Sequence, residues 1–172
     1  MVNFNGDLIH SSALNLSVSN RAFLYGDAVF DTLRFSNGRS VYLEDHYFRL
    51  MSSMRLLRMK IPMNFTLEHY QNELQKTVAA NSLADARIRV TIFRAGMGKY
   101  SPKSNQVHYL IEAEELHSLV KDQYEIELYK DHTVSSDFLS TIKTTNRILN
   151  VLAGIFSDEN GYDNCLLINE KK

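Results

Sequence analysis

The chain has 172 residues, 44% of them hydrophobic, with 19 basic and 20 acidic side chains and a formal net charge of −1. That suffices for a packed core in one domain, or in one domain and part of another, and the balanced charge gives no electrostatic basis for binding nucleic acid or an anionic membrane. No apolar run approaches the roughly 20 residues of a membrane span, and the N-terminus lacks the basic and apolar regions of a signal peptide, so a cytoplasmic protein is expected. The one cysteine, Cys165, lies in an apolar run and reads as a buried, inert thiol rather than a nucleophile. No metal site is expected.

In chain order, Val2-Asn-Phe-Asn, a turn at Gly6 and Asp7-Leu-Ile predict a short opening hairpin. Ala28 to Phe35 alternates as a strand, with Val29, Asp31 and Leu33 on one side and Phe30, Thr32 and Arg34 on the other. Ser36-Asn-Gly-Arg is a hairpin turn, because Asn37 and Gly38 tolerate positive φ. The returning strand is expected over Ser40 to Leu43. A helix follows from Glu44 to Met59, with Tyr47, Leu50, Met51, Met54 and Leu57 on one apolar face. Pro62 opposes its continuation.

Thr66 is a plausible N-cap for a second helix, which turns Leu67, Tyr70, Leu74, Thr77 and Val78 inward. Strands are predicted over Arg87 to Arg94 and Val107 to Ala113, separated by a loop with two glycines and a proline, Ala95-Gly-Met-Gly-Lys-Tyr-Ser-Pro. Ile88, Val90 and Ile92 point to the core. Arg87, Arg89 and Thr91 share the opposite face, which fits either a cleft for an anionic substrate or open solvent. Glu114 to Asp122 reads as a linker. The first unit is therefore placed at residues 1–118, and a second at 119–172. The second comprises a strand at Tyr124 to Tyr129, a helix over Thr145 to Glu159 capped by Gly161, and a final strand, Asn164-Cys-Leu-Leu-Ile-Asn, buried on both faces. A buried central strand so near a terminus predicts an incomplete second unit.

Three segments carry a family resemblance. They are Asn20-Arg-Ala-Phe-Leu-Tyr-Gly-Asp-Ala-Val-Phe-Asp-Thr-Leu-Arg34, His46-Tyr-Phe-Arg-Leu50, and Ile142-Lys-Thr-Thr-Asn-Arg-Ile-Leu-Asn-Val-Leu152. Together they resemble the class IV aminotransferases, the pyridoxal-phosphate enzymes of fold type IV. The resemblance implies a mixed α/β fold of the D-amino-acid aminotransferase type, with two domains, the C-terminal one truncated here. It implies pyridoxal 5′-phosphate as cofactor, Lys143 as the residue that carries it and acts as base, Arg49 as a phosphate ligand, and Asn146 as a cofactor contact or helix-start residue. Tyr25 and Phe30 would wall the substrate. Arg34, Arg89 and Arg94 are candidates for its carboxylates, and Arg34 equally for a structural ion pair.

The resemblance further implies a homodimer whose Arg94–Ser101 loop approaches the partner's site. It places the acidic partner of the pyridine nitrogen and the C-terminal phosphate loops beyond Lys172, with Glu170 a poor substitute, so weak or absent cofactor binding is expected of these 172 residues. The spacing of Lys143, Asn146 and Arg147, and the run Phe30-Asp31-Thr32, lean toward aminodeoxychorismate lyase. That enzyme releases 4-aminobenzoate and pyruvate by α-proton abstraction and β-elimination. A branched-chain or D-amino-acid transaminase remains an alternative, as does a non-catalytic fragment or dimerisation module.

Overall fold

The computed structural model describes residues 1–117 and 120–170, and the expected 118/119 boundary lies outside them. Among the described residues the first unit runs Met1–His117 and also takes in Lys143–Thr145; the rest form a second unit. The segment carrying the lysine, read from sequence as part of the second unit, thus packs with the first.

The opening hairpin is present as β1 (Val2–Phe4) and β2 (Asp7–Ile9). After a short helix α1 (Arg21–Tyr25), strand β3 (Ala28–Ser36) turns at Asn37 and Gly38 into β4 (Arg39–Ser40). Both turn residues have positive φ, 52° and 73°, the geometry that matches a tight turn to strand twist. The return strand is shorter than expected. After Val41 donates to the Arg34 carbonyl at 2.8 Å, Tyr42 adopts a left-handed conformation and the chain enters helix α2 (Leu43–Leu56). Glu44 and Asp45 in its first turn favour this start by facing the positive end of the helix dipole. In helix α3 (Leu67–Ala80) the Thr66 hydroxyl accepts from the His69 N–H at 3.1 Å, the predicted cap.

Strands β5 (Ala86–Arg94) and β6 (Val107–Glu115) complete a six-stranded antiparallel sheet in the order β2-β1-β6-β5-β3-β4. Alternation gives the sheet one apolar face. Val29, Leu33, Ile88, Val90, Ile92 and Ile111 bury that face against Leu50, Met51 and Met54 of α2 and Tyr70, Leu74 and Val78 of α3. The helix faces read from periodicity are the ones buried, with Tyr47 and Leu57 packed at the margin. The opposite face carries Phe30, Thr32 and Arg34, in register with Thr91, Arg89 and Arg87.

The second unit contains β7 (Ile126–Val134), helix α4 (Ile148–Asn160) and β8 (Asn164–Asn169), which pairs with β7 in parallel. Gly161 ends α4 in a left-handed cap, as predicted. Two expectations need correction. Helix α4 starts later than Thr145, because Thr145 and its two predecessors are held by β3. Strand β8 is not buried on both faces: Leu166 is half exposed, because β8 has only β7 beside it among the described residues. Ile148, Val151 and Ile155 of α4 are likewise exposed. Cys165 is half-buried, its thiol 3.1 Å from the Ala153 carbonyl oxygen.

Leu74 is fully buried, so Leu74→Ala should destabilise the first unit by about 2–5 kcal/mol. A urea titration following the sheet signal checks this, and a loss below about 1 kcal/mol would contradict the packing described.

Candidate active site

Strand β3 organises the site because its successive residues serve opposite faces. At its start, Lys143–Thr145 lies antiparallel beside it. The Phe30 N–H donates to the Lys143 carbonyl at 2.9 Å, Val29 stands opposite Thr144, and the Thr145 N–H donates to the Ala28 carbonyl at 3.1 Å. The Thr145 hydroxyl adds a bond to the Gly26 carbonyl at 3.2 Å. A lysine that sequence places before a helix is thereby fixed as part of a sheet edge. Its Nζ sits 4.9 Å from the centre of the Phe30 ring, on the polar face.

The same ring takes the Arg89 guanidinium at 3.9 Å, close enough for a cation–π contact. Arg89 also points its Nε toward the Thr91 hydroxyl at 3.4 Å. Lys143, Phe30 and Arg89, three residues singled out from sequence, are therefore brought together. Arg34 shares this face but lies exposed near the far end of β3, opposite Arg87, which pairs with Glu114 at 2.6 Å. Tyr25 is half-buried at the end of α1, its ring 5.6 Å from that of Tyr100 and 5.1 Å from the Arg21 guanidinium. Asn146 belongs to the second unit, exposed just ahead of α4.

On the other face of β3, Asp31 is 1% exposed and would be costly to leave unpaired among aliphatic side chains. Arg49 of α2 meets it with a two-pronged hydrogen bond, Nε to Oδ2 at 2.8 Å and Nη2 to Oδ1 at 2.7 Å. His46, one turn earlier, places Nδ1 3.1 Å from both Asp31 Oδ1 and Arg49 Nη2. Periodicity puts Arg49 on the solvent side of its helix, and it is indeed 48% exposed, but the length of its side chain lets it reach the buried carboxylate. Arg49 and Lys143 thus approach adjacent residues of β3, from opposite faces.

Arg94 corrects the sequence reading. It is 7% exposed, and its donors are occupied by Asp27 at 2.9 Å, Asn105 at 2.6 Å and the Leu57 carbonyl at 2.7 Å, so it does not present itself to a substrate. The same Asp27 oxygen accepts from Arg21 at 2.8 Å. Arg21 in turn donates to the carbonyls of Gly98 at 3.0 Å and Lys99 at 2.5 Å. This buried cluster holds the glycine loop. At Gly98, with φ 124°, a Cβ would come within 2.5 Å of the Ser101 carbonyl oxygen, which explains a glycine there. Sequence reasoning assigned nothing to Arg21, Asp27, Asp31 or His46. The available signal was Asp31 itself, an acid on the apolar side of an alternating strand, which demands a partner.

Burial pushes the Asp31 carboxyl upward. The hydrogen bonds from Arg49, the Thr32 N–H and His46, together with the charge of Arg49, outweigh it and hold the group below its ordinary range. Tyr70 faces the same pair; burial first, then the Asp31 charge, raise its hydroxyl. A depressed carboxyl stabilises the fold fully above its unfolded pKa of about 3.9, and that contribution disappears as pH falls through the lower folded value. Urea midpoints measured from neutral pH downward should therefore fall below about pH 4, and Asp31→Asn should flatten that part of the curve. An unchanged acid limb in the variant would rule out this linkage. Asp27→Asn should cost about 3–5 kcal/mol in the same assay, because it leaves two buried guanidinium groups undercompensated.

Comparison with known proteins follows the same outline. Residues 28–172 match the family model described as amino-transferase class IV. A Methanocaldococcus jannaschii protein, provisionally named a branched-chain-amino-acid aminotransferase, is 34% identical over 94 residues, covering 55% of this chain and 32% of that protein. The D-alanine aminotransferase of Bacillus licheniformis is 28% identical over 103 residues, 60% of this chain and 34% of its own length. The branched-chain aminotransferase of Thermoproteus uzoniensis, solved with norvaline, superposes with a TM-score of 0.85 at 22% identity. That match covers 98% of this chain and 59% of the archaeal enzyme, so the present chain spans well under two thirds of these relatives. The model match covers most of the chain, and the chain belongs to the amino-transferase class IV family.

Proposed function

We propose that the protein transforms an α-amino acid with the help of pyridoxal 5′-phosphate, with Lys143 as the residue that holds the cofactor and moves the proton. The observation that carries this reading is a lysine whose backbone is bonded to β3 and whose amine lies 4.9 Å from the centre of the Phe30 ring, the same ring that takes Arg89. The donor set fits the cofactor. Lys143 supplies a primary amine on a segment bonded to β3, and Arg49 supplies a guanidinium that Asp31 holds by Nε and Nη2, with Nη1 left to meet a phosphate. Once bound, the cofactor supplies an electron sink for charge developing at the substrate's α-carbon.

The chain's own residues do the rest. Lys143 Nζ, once its amine is free, accepts the α-proton and can return it at a neighbouring carbon. Phe30 walls off water and positions both cations over one ring. Arg89 offers a positive group to the substrate carboxylate, and Tyr25, at the end of α1 against Tyr100, is a further candidate wall. Amino-group transfer is the favoured outcome, since the sequence relatives named above are aminotransferases. A lyase reaction is the second reading. The spacing of Lys143, Asn146 and Arg147, with Phe30-Asp31-Thr32, supports it. An oxo acid product from an amino-acid substrate favours the first; pyruvate with 4-aminobenzoate favours the second.

A homodimer is part of the proposal. Phe23, Met97 and Tyr100 are 79%, 63% and 91% exposed, on α1 and the glycine loop that the Asp27 cluster ties together. A second copy would bury this patch. Sedimentation at micromolar concentration should give a dimer, and Tyr100→Asp should shift it toward monomer; a monomeric parent chain contradicts this part.

The site reading predicts that incubation with pyridoxal phosphate followed by borohydride leaves a stable label on the peptide containing Lys143. Lys143→Ala should abolish it. Label confined to other lysines would support a non-catalytic role for the chain.

A further inference from the structure

We infer that Asp31 is a positioning residue for the cofactor's phosphate, acting through Arg49; this rests on the reading of Arg49 as a phosphate ligand. An exposed arginine on a helix samples many rotamers, and fixing it on binding costs side-chain entropy. Here that ordering is already done. Asp31, 1% exposed, grips one edge of the guanidinium through Nε and Nη2. The remaining amino group, Nη1, makes no hydrogen bond among the described residues, and the side chain is 48% exposed. The buried edge is held, and Nη1 is the donor left for a ligand. His46 Nδ1, 3.1 Å from both partners, limits sideways rotation of the fork.

The geometry also explains why the acid is buried. A carboxylate in solvent next to Arg49 would compete with an incoming dianion for the same donors and repel it. On the inner face of β3, Asp31 keeps its oxygens on the side of the guanidinium away from solvent. It orders the cation while leaving Nη1 to a ligand.

The test compares pyridoxal phosphate with pyridoxal, which lacks the phosphate, using the 172-residue chain. Borohydride trapping of Lys143 is quantified by peptide mapping across a concentration series of each aldehyde, so weak binding remains measurable. The parent should reach half-maximal label at lower concentration with the phosphorylated aldehyde. Arg49→Ala should remove that preference. Asp31→Asn should reduce it by about tenfold or more, the loss expected when a charge-assisted contact is misplaced, with the half-maximal concentration of pyridoxal shifting far less than that of pyridoxal phosphate. Asp31→Asn added to Arg49→Ala should cause no further change, the non-additivity of two residues acting through one contact.

A parent without any preference, or an Arg49→Ala variant that keeps it, overturns the phosphate reading and the inference with it. An Asp31→Asn variant that keeps the preference while Arg49→Ala loses it overturns the positioning role alone. Should Asp31→Asn fail to fold, Asp31→Glu is the substitute. It retains the charge but displaces it by one methylene, and a preference equal to the parent's would overturn the inference.

Discussion

Between Val29 and Leu33 the chain places a carboxylate on a sheet face otherwise packed with aliphatic side chains, and most of the site follows from how that charge is satisfied. A buried, unpaired Asp31 would cost more than one substitution's worth of stability, so α2 must bring a cation to it. Arg49 does so from a half-exposed position, with His46 one turn away. The two-residue period of β3 then sends Phe30 to the other face, where it meets Lys143 and Arg89. One strand fixes both halves of the arrangement.

The second unit obeys the same rules with fewer partners. Strands β7 and β8 run parallel with α4 packed along them, but Ile148, Val151, Ile155 and Leu166 stay in solvent. Exposed apolar side chains at helical spacing form a face prepared for burial. The first unit closes its core on both helices, whereas among the described residues the second does not.

Most of the first unit was legible in the sequence because its signals are local. Asn37-Gly38 specifies its turn, Thr66 caps its helix, and Leu50, Met54, Tyr70 and Leu74 mark their faces by spacing alone. The residues that chemistry would use were found mainly through resemblance, since a lone lysine or arginine carries no periodic signal. What escaped were interactions between distant segments. Nothing near Arg94 reveals that Asp27 and Asn105 will occupy it, and nothing near Lys143 reveals that its backbone pairs with Phe30. Ladder bonds between segments so far apart depend on the assembled sheet rather than on propensity. The late start of α4 has the same origin, since the bonds of Thr145 to Gly26 and Ala28 override the local pattern; the shortened β4 is local, the left-handed Tyr42 turning the chain into α2 early.

The Lys143–Thr145 edge has a consequence for how the molecule assembles. Thr145 and Gly26, joined by a hydrogen bond, are 119 residues apart, while the β5–β6 and β3–β4 pairings close far shorter loops. Chain entropy opposes distant closures more than near ones, and contacts of high sequence separation slow folding. The lysine therefore reaches its place only after the sheet that receives it exists. The chain must also leave the first unit, return to it for three residues and leave again. Cutting the chain after His117 would not separate the two units cleanly: a fragment ending there keeps its hydrophobic core but loses the segment that carries the amine.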